Sequence, residues 1–144
     1  MTAHHPYFAY GSNLALWQMK SRCPECEVHG LATLAGHSLT FAGRPKRDRG
    51  GVLTVVPAEG RTVPGVVYLL SSADLDALDA CEGYPYWYQR KQLAVQLATG
   101  EEVEAWTYYI PEGSITEREP DPWYFELIRK AYRELGLGAF SPGT

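Results

Sequence analysis

The chain has 144 residues, of which 45% are hydrophobic and 21% charged, with a formal net charge of -4. That length supports one domain over residues 1–144 with about 70% of its unfolded surface buried, and the acidic balance argues against a nucleic-acid partner, whose phosphates are held by clustered Lys and Arg. No apolar run approaches the ~20 residues that span a bilayer, and the opening MTAHHPYF has no basic region leading into an apolar one, so no membrane partner and a cytoplasmic location are expected.

Tyr7-Phe8-Ala9-Tyr10 is a short apolar run that predicts a strand, stopped by Gly11-Ser12-Asn13, with a brief helix over Leu14–Lys20. A strand, a tight loop and a helix start aim backbone N–H groups outward, where an anion or a developing oxyanion settles. Gly11 permits close approach, and Ser12 and Asn13 either cap the helix or donate to a ligand; a plain capped turn accounts for the same residues. Cys23 and Cys26, with His29 three residues on, suggest a metal site, but structural zinc takes four ligands and there is no second CxxC. Reduced thiols in a turn, with no metal, are therefore expected.

Leu31–Phe41 reads as two short β pieces split at Gly36, and Arg44, Lys46, Arg47 and Arg49 as a solvated basic loop. Gly51–Val56 reads as a strand ended by Pro57, and Val63–Leu70 as another, apolar enough to be buried on both faces. It feeds a helix opened by Ser71, with Asp74 completing a capping box and Leu75 and Leu78 forming an inward stripe. Glu82 falls on that stripe rather than on the wet face of Asp76 and Asp79, and Gly83 ends the helix just after it. Burial and the negative end of the helix dipole both disfavour a carboxylate there, so its pKa should be raised. Gln89–Ala98 and Val103–Ile110 form a hairpin around Thr99-Gly100-Glu101. A polar loop, Pro111–Pro122, leads to a last helix with Asp121 as N-cap and Tyr124, Leu127, Ile128, Ala131 and Leu135 on one stripe, stopping at Gly136 before a lightly docked tail. The class that follows is α+β, with a small, mixed, strongly curved β-sheet or barrel and short flanking helices.

There is no Ser/His/Asp spacing, no HExxH and no cofactor fingerprint. What remains is one shielded acid opposite an amide-rich turn, which suits moving a proton from an attacking to a leaving group within one substrate molecule. A buried ion pair of Glu82 with Arg90, or a bond from a tyrosine, explains the acid as well.

YFAYGSNL at 7–14, Gly50-Gly51-Val52, Val63-Pro64-Gly65-Val66-Val67-Tyr68 and Leu78-Asp79-Ala80-Cys81-Glu82-Gly83 together resemble the γ-glutamylcyclotransferase family from Tyr7 to about Leu137. The resemblance implies a small mixed barrel and a cofactor-free enzyme. Its substrate is a small γ-glutamyl compound, whose glutamyl moiety closes to 5-oxoproline as an amino acid or amine is released. It places the catalytic glutamate on Glu82 and the glutamyl-binding loop on Tyr7, Phe8, Ala9, Tyr10, Gly11 and Ser12, running into Asn13. Tyr88 is expected to bond the carboxylate or substrate. Tyr124 matches a pocket-lining tyrosine and equally fits a core aromatic. YPYWYQR, with Tyr88 and Arg90, resembles the γ-glutamylamine branch, whereas YGSNL resembles the branch acting on γ-glutamyl amino acids; the loops 43–50 and 111–121 are placed to choose the leaving amine. A binding module of the same fold for glutamate-like ligands is the alternative, and a monomer or homodimer is expected.

Overall fold

The structure, a computed structural model, describes residues 4–43 and 50–142. The basic cluster Arg44, Lys46, Arg47 and Arg49 lies outside them, as does most of the 43–50 loop. Among the described residues the chain runs β1 (His5–Ala9), α1 (Leu16–Arg22), β2 (Glu27–Ala42), β3 (Val52–Leu70), α2 (Ser72–Glu82), β4 (Gln89–Leu97), β5 (Glu102–Tyr109) and α3 (Pro122–Leu135). The strands close into a barrel in the order β1-β3-β2-β4-β5. All neighbours are antiparallel except β1 and β5, which seal the barrel in parallel at Tyr7 and Trp106. This is the expected α+β class with a mixed, curved sheet.

Two sequence expectations for the sheet are corrected. Leu31–Phe41 is not two strands but part of the single 16-residue β2, and Pro57 does not end a strand but lies inside the 19-residue β3. A straight strand of that length would run about 50–60 Å, against a radius of gyration of about 15 Å for a chain this size, so both must bend. They bend together: Ala35 pairs with Thr62 and His37 with Pro57, leaving Gly36 at φ 74° facing residues 58–61, with Gly60 at φ 79°. Glycine and proline mark a bulge here rather than a stop. The bend turns both arms of the ribbon inward, so that Leu34 and Val63 on one arm and Leu53 and Val55 on the other are all buried with Phe8, Val67 and Ile110.

The helix α2 forms much as its sequence dictates. The Ser71 hydroxyl accepts the Asp74 N–H at 3.1 Å, Leu75 and Leu78 are buried, and Gly83 adopts the left-handed conformation at φ 71°. The Tyr84 N–H then closes onto the Asp79 carbonyl at 3.0 Å. The capping box is only half made, because the buried Asp74 carboxylate accepts the Glu25 N–H at 3.0 Å instead, tying the turn after α1 to the start of α2. Asp79 also departs from expectation. It is largely covered, ion-paired to Arg90 at 3.0 Å and accepting the Tyr108 hydroxyl at 2.6 Å, which fastens the last turn of α2 to β4 and β5.

The predicted helix over Leu14–Lys20 is displaced. Ser12–Leu14 forms one 3-10 turn, Ala15 breaks it with extended backbone, and α1 starts at Leu16 with Ala15 as its N-cap, so neither Ser12 nor Asn13 caps it. Cys23 and Cys26 sit in the turn after α1, both buried and free, and burial pushes the Cys23 thiol up to about 12. His29 is exposed on β2.

The Pro111–Pro122 loop is pinned to the end of the β2–β3 hairpin. Gly43 N–H donates to Thr116 O at 2.6 Å, Gly51 N–H to Glu119 O at 2.8 Å, and Gly50 N–H to the Asp121 carboxylate at 3.3 Å. Asp121 occupies the N-cap position of α3 but spends its carboxylate on this contact. The α3 stripe packs as expected, with Ile128 and Ala131 buried, and Phe140 docks the tail on Tyr132 and Phe125 with ring centroids 4.9 and 5.1 Å apart. No helix among the described residues is long and apolar enough to cross a membrane.

Candidate active site

One cavity of about 300 Å³ opens between the end of β1, the last turn of α2 and the start of α3. Its wall brings together Glu82 with Tyr7, Tyr10, Gly11, Ser12, Asn13, Tyr88 and Tyr124. Phe8 and Ala9 are not on that wall. Both are fully buried in the core, and alternation along β1 turns Phe8 away from Tyr7.

Glu82 comes from the sequence logic of α2: its place on the leucine stripe aims it inward, and Gly83 ends the helix before it can be carried past the cavity. Its side chain is 16% exposed. Burial raises its pKa above the usual carboxylate value, while the Arg22 guanidinium and the Asn13 amide pull it part of the way back. Both contacts fall on one oxygen. Asn13 Nδ2 donates to Oε1 at 3.2 Å and Arg22 Nη1 to the same atom at 3.3 Å, while Oε2 has no partner among the described residues.

Asn13 is 4% exposed and is bonded at every polar atom of its side chain. Nδ2 donates also to Tyr7 Oη at 2.9 Å, Oδ1 accepts from Gln18 Nε2 at 3.1 Å and from Arg22 Nη1 at 3.0 Å, and the backbone carbonyl accepts the buried Tyr68 hydroxyl at 2.8 Å. Its amide therefore orients Glu82 rather than standing open to a ligand. Gln18 reaches the Ser12 hydroxyl as well, at 2.8 Å. The Ser12 and Asn13 N–H groups open a 3-10 turn whose first bonds are donated by Leu14 and Ala15, so the turn itself offers them no acceptor.

The two tyrosines act through the backbone of Leu53. Tyr88 Oη donates to the Leu53 carbonyl at 2.7 Å, and Tyr124 Oη accepts the Leu53 N–H at 3.1 Å. Tyr88, expected to bond the carboxylate or substrate, does not bond Glu82; its hydroxyl donates to β3 instead. Tyr88→Phe is expected to leave that carbonyl unpaired at a cost of about 1–2 kcal/mol, read in thermal denaturation as a midpoint lower by roughly 5 °C. The Tyr124 hydroxyl, which accepts the Leu53 N–H and donates to no acceptor among the described residues, lies beside Gly11. Burial raises the pKa of Tyr7, Tyr10, Tyr88 and Tyr124, so all four stay neutral across the working range.

Arg90, which with a tyrosine was the alternative structural partner for Glu82, is instead held by Asp79 and lies between the rings of Tyr84 and Trp106, at 4.7 and 4.4 Å from their centroids. The residue that does pair with Glu82 is Arg22, which was not singled out from the sequence, nor were Gln18, Tyr108, Trp87 and Trp123 on the wall; Asp121, also on the wall, ends the 111–121 loop that was. A signal existed: Gln18 and Arg22 are four apart, so they share one face of α1 next to the Gly11-Ser12-Asn13 turn. Among the described residues no group of three or more His, Cys, Asp and Glu side chains is arranged to hold a metal.

Comparison with known proteins bears on this site. The family described as "Gamma-glutamyl cyclotransferase, AIG2-like" matches residues 7–126. The chain is 30% identical over 137 residues to the gamma-glutamylcyclotransferase of Bos taurus, covering 91% of this chain and 71% of that one. It is 29% identical over 144 residues to the gamma-glutamylaminecyclotransferase of Rattus norvegicus, covering 90% and 89%. A solved structure titled "Gamma-glutamyl cyclotransferase" superposes with a TM-score of 0.87 at 27% identity, covering 94% of this chain and 82% of that one.

Proposed function

The chain belongs to the gamma-glutamyl cyclotransferase, AIG2-like family, and from that premise we propose that it cyclises the γ-glutamyl group of a γ-glutamyl amino acid or amine to 5-oxoproline, releasing the amino acid or amine, with Glu82 as general acid and base. The observation that carries this reading is the sheltered Glu82 carboxylate, held through Oε1 with Oε2 unpaired among the described residues, on the wall of the cavity that also contains the Gly11-Ser12-Asn13 turn.

In the proposed reaction Glu82 accepts a proton from the substrate's α-ammonium. The freed amine attacks its own γ-carbonyl carbon, forming the ring C–N bond, and the tetrahedral intermediate collapses by breaking the bond to the leaving nitrogen. Glu82 returns the proton to that nitrogen as its bond to carbon breaks, then takes the second proton from the ring nitrogen and passes it to the released amine, which departs as its ammonium, so charge and atoms balance without an outside reagent. The nucleophile and electrophile are in one molecule, so holding the folded conformer supplies much of the acceleration. Ser12 and Asn13 N–H groups and the Tyr124 hydroxyl are donors for the substrate's α-carboxylate or for the developing oxyanion.

The test is a panel of γ-glutamyl amino acids, γ-glutamyl-lysine and other γ-glutamyl amines, and glutathione, assayed for 5-oxoproline with no metal or cofactor added. Production from one class is the expected result and names the branch. Saturable binding of glutamate-like compounds with no product from any of them would replace the enzyme by a binding module.

A further inference from the structure

Arg22 is the one cation among the described residues that reaches Glu82, and the cyclotransferase reading gives it no role. We propose that Arg22 is a positioning residue for that reaction: it fixes the orientation of the Asn13 amide, and through it selects Oε1 of Glu82 as the anchored oxygen and Oε2 as the one that exchanges protons with substrate. The inference rests on the function proposed above.

A guanidinium can only donate, so whichever Asn13 atom it touches at 3.0 Å must be the carbonyl oxygen. Gln18 Nε2, donating to the same Oδ1 at 3.1 Å, agrees. With Oδ1 committed, Nδ2 has to face the opposite way, toward Tyr7 Oη and Glu82 Oε1. Were the amide reversed, its oxygen would meet the Glu82 carboxylate, acceptor against acceptor, and the acid would swing off. The same Nη1 then completes the arrangement by donating to Oε1 directly. Three donor contacts among three side chains thus leave a single oxygen of Glu82 free.

The charge matters as much as the geometry. The groups that face Glu82 are Tyr7 on β1, Tyr10 just after it, Tyr88 ahead of β4, Tyr108 on β5 and Tyr124 on α3. Cys81 and Asp79 share its helix, and Asp121 lies on the same cavity wall. Neutral tyrosines supply no counter-charge and Asp79 is already paired with Arg90, so Arg22 carries the balance. An acid that begins the cycle as a base is active only above its pKa, and removing Arg22 moves that threshold upward.

The decisive measurement is a ¹³C carboxyl titration of glutamate-labelled protein, with the Glu82 signal assigned by its loss in Glu82→Gln. In Arg22→Met the Glu82 pKa is expected to rise by about one unit or more, and in Arg22→Lys, which keeps the charge but loses the planar fork, by less. The acidic limb of kcat/KM should move up with it, kcat near neutral pH should fall about tenfold in Arg22→Met, and KM should change little. An unmoved titration in both variants, or a rise in KM alone, would overturn the proposal and make Arg22 a receptor for a substrate carboxylate or a purely structural residue. Because the titration needs no turnover, its result stands apart from the 5-oxoproline assay; if Arg22→Met does not fold, Arg22→Lys is read against the wild type in the same way.

Discussion

Glu82→Gln is expected to lower kcat by about 10³-fold on whichever γ-glutamyl compound the wild type turns over, with KM little changed and the fold intact. Glutamine keeps the volume and, with its amide oxygen in the place of Oε1, keeps both bonds from Asn13 and Arg22. The amide nitrogen then takes the place of Oε2, which presents a donor where the reaction requires an acceptor, and it cannot carry a proton between the two substrate nitrogens. Steady-state kinetics with near-ultraviolet circular dichroism as the fold control checks both halves. Full turnover in the variant would mean that the proton takes another route. The fold control has its own pH signature. A carboxyl whose folded pKa is raised favours the native state below the ordinary carboxylate value, and this contribution is lost as pH rises through the raised one. The glutamine variant should lack that loss over the same window.

Gly65→Ala should be among the most damaging substitutions to stability, although it adds one methyl group. A Cβ at Gly65 would lie 2.2 Å from the Ala9 carbonyl oxygen and 2.7 Å from the Phe8 ring. The carbonyl is backbone inside the β1–β3 ladder, where Ala9 pairs with Val66 and Phe8 with Val67, so it cannot swing aside as a long side chain would. Overpacking a well-filled core costs about 1–3 kcal/mol and sometimes more, and a clash with paired backbone belongs at the upper end. Thermal denaturation should show the midpoint lower by roughly 10 °C. Activity should fall as well, because the end of β1 carries Tyr10 and the Gly11-Ser12-Asn13 turn toward Glu82, and separating β1 from β3 moves that turn. A variant with wild-type stability would mean that the two strands part more easily than their ladder implies.

These two residues show which parts of the molecule were legible in the chain. Glu82 could be read because everything that places it is local: a capping serine, a leucine stripe at helical spacing and a terminating glycine lie within thirteen residues. The hairpin of β4 and β5 and the stripe of α3 were legible for the same reason. The long strands were not, because glycine at 36 and proline at 57 are the same local signals whether the chain stops or bulges, and only the pairing of β2 with β3 decides between them. Barrel closure through the parallel contact of Tyr7 with Trp106 joins positions about a hundred residues apart and leaves no local mark. Arg22 escaped because its partner Glu82 is 60 residues away, and the bond from Tyr88 to the Leu53 carbonyl escaped because the two are 35 residues apart. The turn at Gly11 is legible either as a ligand site or as a plain capped turn, whereas the work of the Asn13 side chain inside it leaves no local mark.

The stitching of residues 43, 50 and 51 to the segment before α3 has a consequence for anyone re-engineering the mouth of the cavity. Residues 43, 50 and 51 are buttoned to 116, 119 and 121 through main-chain amides, and Gly51 has no room for a Cβ, which would fall 2.2 Å from the Arg118 carbonyl. The two stretches that flank the mouth are therefore one interlocked piece rather than two independent dials. Swapping either one alone from a relative breaks the seam, so a graft has to carry both across together, glycines included.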